Sequence, residues 1–123
     1  MHNIWIADDD EAIRMVLEEG LKSSDLAITT FANGESLIEA LNEDQPDLII
    51  SDIKMPGIHG YDLLKHIKNN HEKIPVIIMT AFTDMQAAID AYGGGAFEYI
   101  PKPFDLDEAL QIVNRALEEN KLP

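Results

Sequence analysis

The sequence predicts an α/β protein in which five parallel strands, in the flavodoxin-like order 2-1-3-4-5, carry helices on both faces in a (βα)5 arrangement. Three observations lead there. Short apolar runs alternate with longer stretches of helical period along all 123 residues. The run Leu48, Ile49, Ile50 is uniformly apolar, as a strand buried on both faces must be. Leu26, Ile28 and Thr30 instead alternate with small or polar residues, which marks a half-exposed strand and puts it at a sheet edge.

Taken in order, residues 4–7 form a first strand that ends in three consecutive acids, Asp8, Asp9 and Asp10. Ile13, Val16, Leu17, Gly20 and Leu21 then share one face of a helix, whose positive end suits the acids before it. Asp10 is read as the cap of that helix. After the edge strand, Asn33-Gly34 turns the chain into a second helix through Leu37, Ile38 and Leu41, which stops before Gln45-Pro46.

The third strand carries Asp52 at its carboxyl end, because Pro56, Gly57 and Gly60 follow within eight residues and force the chain to turn. A third helix turns Leu63, Leu64 and Ile67 inward, and a fourth strand spans 76–79 and ends at Thr80-Ala81. A weaker helix over 85–92 runs into Gly93-Gly94-Gly95, which lowers its stability. Residues 96–100 make a fifth short strand that ends at Pro101-Lys102-Pro103. The last helix starts at the cap Asp105, with Glu108 three residues on and Leu106, Ala109, Leu110, Val113 and Leu117 as its buried stripe.

Composition narrows the function classes. The chain has no cysteine, which excludes disulfides, thiolate metal sites and a cysteine nucleophile. No apolar run approaches a membrane span, and the amino-terminal residues turn acidic where a signal peptide would be apolar, so a cytoplasmic protein with no membrane association is expected. With 23 acidic and 9 basic residues the formal charge is -14, which disfavours direct nucleic-acid binding.

The chemistry lies at the strand ends, which in this fold face one crevice. Asp8 and Asp9 follow the first strand, Asp52 the third, Thr80 the fourth and Lys102 the fifth. Crowded carboxylates repel unless a cation joins them, and an all-oxygen donor set without His or Cys suits Mg2+. An aspartate, a divalent ion, an ammonium and a hydroxyl around one point are the groups that stabilise a phosphoryl group in transfer.

In these residues the chain resembles the receiver domains of two-component response regulators over residues 1–123. The segments SDIKMPG, VIIMTA and AFEYIPKPFD are most similar to receivers of the NtrC group, which act with sigma-54 RNA polymerase. The resemblance implies that Asp52 is the phosphoacceptor, served by a sensor histidine kinase or a small phosphodonor. It implies Mg2+ held by Asp9, Asp52 and the backbone carbonyl of Lys54, with Asp8 acting through water. Thr80 and the Ala81 N–H would bind phosphoryl oxygens and Lys102 would pair with them, with the Lys102-Pro103 bond cis.

Tyr99 would be a switch aromatic that responds to Thr80, or a half-buried strand residue. Phe82 would gate the site or cover apolar surface. The same resemblance implies that 1–123 is the amino-terminal part of a longer transcriptional regulator, with a homodimer or an AAA+ domain as the output contact. The alternatives are a stand-alone receiver or phosphorelay protein and a Mg2+-dependent phosphohydrolase, which would release phosphate steadily from external esters. A flavin-binding carrier of the same strand order is disfavoured, since it needs a Ser-, Thr- or Gly-rich phosphate loop where this chain has three acids.

Overall fold

The alternation of apolar runs and amphipathic stretches becomes β1 (His2–Ala7), α1 (Glu11–Leu21), β2 (Leu26–Phe31), α2 (Gly34–Leu41), β3 (Leu48–Asp52), α3 (Gly60–Asn70), β4 (Val76–Ala81), β5 (Glu98–Lys102) and α4 (Leu106–Glu119). The computed structural model describes residues 2–23, 25–55, 57–58, 60–81 and 93–119. The helix expected over 85–92 lies outside the described residues, as does Phe82.

The strands form one sheet in the order β2-β1-β3-β4-β5, and every adjacent pair is parallel. This is the expected order, and its cause is visible in side-chain burial. All of β3 is buried, whereas β2 buries only Leu26 fully and pairs with β1 alone. An alternating strand loses least at an edge, where one side of it meets water. Trp5 of β1 packs against Phe31 of β2 with ring centroids 5.2 Å apart, which ties that edge down.

Side chains alternate across the sheet and build a core on each face. On one face Ile4, Ile6, Leu48, Ile50, Ile77 and Met79 meet Leu17 and Leu21 of α1 and Ala109, Val113 and Leu117 of α4. On the other Trp5, Ala7, Ile49 and Ile78 meet Leu37 and Leu41 of α2 and Leu63, Leu64 and Ile67 of α3. Helices therefore cover both faces, as the unbroken apolar character of β3 requires.

The caps are local. Asp10 accepts the Ala12 and Ile13 N–H groups at the start of α1, Asn33 accepts that of Ser36 in α2, and Asp105 accepts those of Asp107 and Glu108 in α4. Gly57, in the loop after β3, has φ +78°, a conformation open to glycine because it lacks a Cβ.

One element departs from expectation. β5 runs from Glu98 to Lys102 rather than over 96–100, so Pro101 and Lys102 lie inside the strand opposite Thr80 and Ala81. A proline that cannot donate to a ladder reads as a terminator, yet an edge strand paired on one side tolerates it. β4 likewise continues through Thr80 to Ala81.

Burial along α1 sets its phase and corrects one expectation: Leu17 is 0% and Leu21 1% exposed, whereas Val16, expected on the same face, is 45% exposed because the stripe that meets the sheet is narrower than the apolar pattern suggests. Leu17→Ala is expected to cost about 2–5 kcal/mol of unfolding free energy. Val16→Ala should stay within about 0.5 kcal/mol. Denaturant titration of both variants checks the pair; equal losses would mean that α1 turns a different face to the sheet.

Candidate functional site

The carboxyl ends of β1, β3, β4 and β5 lie along one rim of the sheet, and parallel strands make that rim common to all of them. Asp52 is the last residue of β3 and Asp8 follows β1 directly. Lys102, the last residue of β5, extends across the end of β4 toward both. Its Nζ lies 2.9 Å from Asp8 Oδ2 and 3.3 Å from Asp52 Oδ2. Three residues that are far apart in sequence thus share one ion-pair network.

Asp8 is held at every polar group. Its N–H donates to the Phe31 carbonyl at 3.1 Å, Oδ1 accepts the Asp10 N–H at 2.9 Å, and Oδ2 accepts Lys102 Nζ. Its carbonyl accepts Arg14 Nη1 at 2.7 Å. The residue is 0% exposed, so these bonds replace the water it has lost. Asp52, 8% exposed, keeps one oxygen toward Lys102 while Oδ1 accepts the Lys54 N–H at 3.4 Å.

Burial, and then the carboxylate of Asp8, raise the Asp52 pKa above its ordinary value; Lys102 and the Lys54 N–H oppose the rise without cancelling it. For Lys102 burial alone would lower the pKa. The bonds and charges of Asp8 and Asp52 outweigh it and leave the ammonium above its ordinary value.

Carboxylate oxygens of Asp8, Asp9 and Asp52 all lie within 4.8 Å of one another, with Asp9 exposed to solvent. Three carboxylates against one ammonium leave an excess of two negative charges, which a divalent cation would balance. The donors are hard oxygens only, and their spacing allows them to meet one small ion, so this cluster could hold a metal.

Thr80 is buried, 1% exposed, in β4 beside Asp52, and Ala81 lies opposite Lys102 in the ladder. Tyr99 is half-buried and pairs with Ile78, so it projects on the same sheet face as Thr80, two residues farther along β4. The Lys102-Pro103 peptide bond is cis. The structure therefore brings together Asp8, Asp9, Asp52 and Lys102, with Thr80 on the adjacent strand end. Sequence reasoning passed over Arg14. The one signal available is its position four residues after the Asp10 cap, which places it in the first turns of α1 beside the acidic loop.

Among the described residues no helix is long and apolar enough to cross a membrane. A family model for the response regulator receiver domain matches residues 4–114. The chain is 54% identical over 114 residues to the DNA-binding transcriptional regulator NtrC of Escherichia coli (strain K12), covering 93% of this chain and 24% of that protein. It spans about a quarter of the length of the curated relatives it matches. Among solved structures, the apo receiver domain of nitrogen regulatory protein C in solution is 51% identical with a TM-score of 0.87, covering 96% of this chain and 95% of that one. NtrX from Brucella abortus is 30% identical with a TM-score of 0.92, covering 98% of this chain and 28% of that one.

A raised pKa means that ionising Asp52 costs the folded state more than the unfolded one. That stability is present below the ordinary value of 3.8 and is lost as pH rises through the folded-state pKa. Without divalent cations, Asp52→Asn is therefore expected to raise Tm at neutral pH, and the gain should fade as pH falls toward 3.8. Thermal unfolding in chelator across that range checks it; a variant less stable than the parent at neutral pH would contradict this electrostatic balance.

Proposed function

The chain belongs to the response regulator receiver domain family, and from that premise we propose that Asp52 accepts a phosphoryl group from a sensor histidine kinase in a Mg2+-dependent reaction. The observation that carries this reading is the single ammonium of Lys102 bridging Asp8 at 2.9 Å and Asp52 at 3.3 Å. A lysine shared by two buried carboxylates can follow negative charge from one group to another at short range.

In the proposed reaction the ionised Asp52 carboxylate attacks phosphorus. The bond from phosphorus to the donor imidazole nitrogen, or to the acyl oxygen of a small phosphodonor, breaks, and its electron pair leaves with the donor. Asp9, Asp52 and the Lys54 carbonyl would hold Mg2+, with Asp8 acting through water. When bound, the ion supplies positive charge beside the phosphoryl oxygens. Lys102 shifts part of its pairing from the Asp52 carboxylate to the transferred group, while the Thr80 hydroxyl and the Ala81 N–H donate to its other oxygens. Water later cleaves the acyl phosphate, so the domain modifies itself and resets rather than turning over external substrate.

The added charge makes the switch. Thr80 is buried, so a hydroxyl drawn toward the phosphoryl group leaves space on the face that Tyr99 shares. Tyr99, with Phe82, is the relay we assign to that movement. At the scale of the whole protein we place 1–123 as the amino-terminal receiver of a longer cytoplasmic transcriptional regulator acting with sigma-54 polymerase. Its output would be a homodimer or a contact with an AAA+ domain. This placement is supported by 54% identity to a regulator of which the match covers 24%.

Incubation with acetyl phosphate and Mg2+ is expected to add one phosphoryl group, about 80 Da, to a fraction of the chains. The gain should be abolished in Asp52→Asn and by chelator, and Thr80→Ala should be modified yet fail to alter the environment of Tyr99 measured by NMR. Modification that persists in Asp52→Asn would overturn the assignment, and steady phosphate release from unrelated esters would favour a hydrolase.

A further inference from the structure

Arg14 is surrounded by acids it does not pair with. On a helix, Asp10, Glu11 and Glu18 stand three or four residues away, the separations at which opposite charges meet. Among the described residues, none of the ion pairs involves Arg14. Its guanidinium instead donates Nη1 to an uncharged partner, the carbonyl of Asp8, at 2.7 Å in a part-buried position. Its own backbone N–H donates to the Asp10 carbonyl at 3.1 Å, the first turn of α1.

Main chain and side chain of one residue thus close the loop from both sides. That loop is the source of two of the three converging carboxylates. Their mutual repulsion, and their repulsion of Asp52, favours opening it. Lys102 secures the Asp8 carboxylate, but its bond to that side chain does not constrain the backbone that aims Asp9. The Arg14 bond does, because it fixes the peptide unit that joins Asp8 to Asp9.

We infer that Arg14 is a positioning residue for the cation site, a clamp that holds the Asp8–Asp9 peptide so that the exposed Asp9 carboxylate stays within reach of Asp52. The inference rests on the phosphoacceptor reading for its consequence and on the geometry for its existence. A guanidinium suits the task. Its planar fork gives up less freedom per bond than a flexible ammonium does.

The test compares the full chain with Arg14→Ala and Arg14→Lys. In chelator, Arg14→Ala should speed amide exchange at Asp10, whose N–H bonds to Asp8, while the amide of the buried Leu17 exchanges as before. Its Mg2+ dissociation constant, measured calorimetrically, should rise about ten-fold or more, as when an outer partner of a metal ligand is removed. Phosphorylation by acetyl phosphate should slow at limiting Mg2+ and return to the parent rate at saturating Mg2+, because the clamp acts on the site's assembly. Arg14→Lys, which keeps a charged donor, should recover most of the affinity.

Parent-like Mg2+ affinity in Arg14→Ala would overturn the inference, whatever happened to its Tm. So would a rate deficit that saturating Mg2+ does not relieve. If Mg2+ affinity falls as expected but the parent chain takes up no phosphoryl group, the clamp stands and the phosphoacceptor reading fails.

Discussion

The carboxylate of Asp8 is closed to solvent, and a buried charge must be answered inside the protein. Lys102 answers it, at 2.9 Å, from the far edge of the sheet. This one contact explains much of the architecture at the rim. β5 must continue through Pro101 to bring the lysine level with the last residue of β4, and β1 must stop at Ala7 so that Asp8 turns inward. The loop after it must curl so that the Asp10 N–H reaches the second Asp8 oxygen while the Asp10 side chain caps α1. Removing the ammonium would leave two buried carboxylates facing each other, and stranding a buried charge in this way is strongly destabilising.

The same contact connects stability to chemistry. A site with two carboxylates, one ammonium and a third, exposed carboxylate is balanced only when a further cation arrives. Burial first, and then the neighbouring Asp8 carboxylate, raise the Asp52 pKa, and a cation placed among these carboxylates would oppose that rise. The sheet beneath supplies the rigidity that keeps these groups from moving apart, since β1, β3 and β4 are packed on both faces.

Much of this is legible from residue order. The edge position of β2 and the interior position of β3 follow from alternating and uniformly apolar patterns, and the flavodoxin-like order 2-1-3-4-5 is the choice they favour among the few right-handed arrangements. Asp8, Asp9, Asp52, Thr80 and Lys102 are legible as a set because each ends an apolar run, and in a parallel sheet all such ends share a rim. The extent of β5 is not legible. Proline signals a stop in local terms, and only the pairing of Pro101 with Thr80 reveals that an edge tolerates it. Arg14 is hidden for a related reason. A charged residue on an amphipathic helix reads as solvated surface, and the Asp8 carbonyl it meets belongs to the backbone, which leaves no mark in composition.

The central claim is that Lys102 is required because Asp8 is buried and charged, and a double-mutant cycle tests it directly. In chelator, Lys102→Met alone is expected to lose about 3–5 kcal/mol of stability, the consequence of stranding a buried charge. Adding Asp8→Asn to that variant should restore a large part of the loss, since the uncharged amide can still accept the Asp10 N–H. If the double variant is instead destabilised by the sum of the two single losses, Lys102 and Asp8 are energetically independent, and the buried charge of Asp8 is not what requires the lysine.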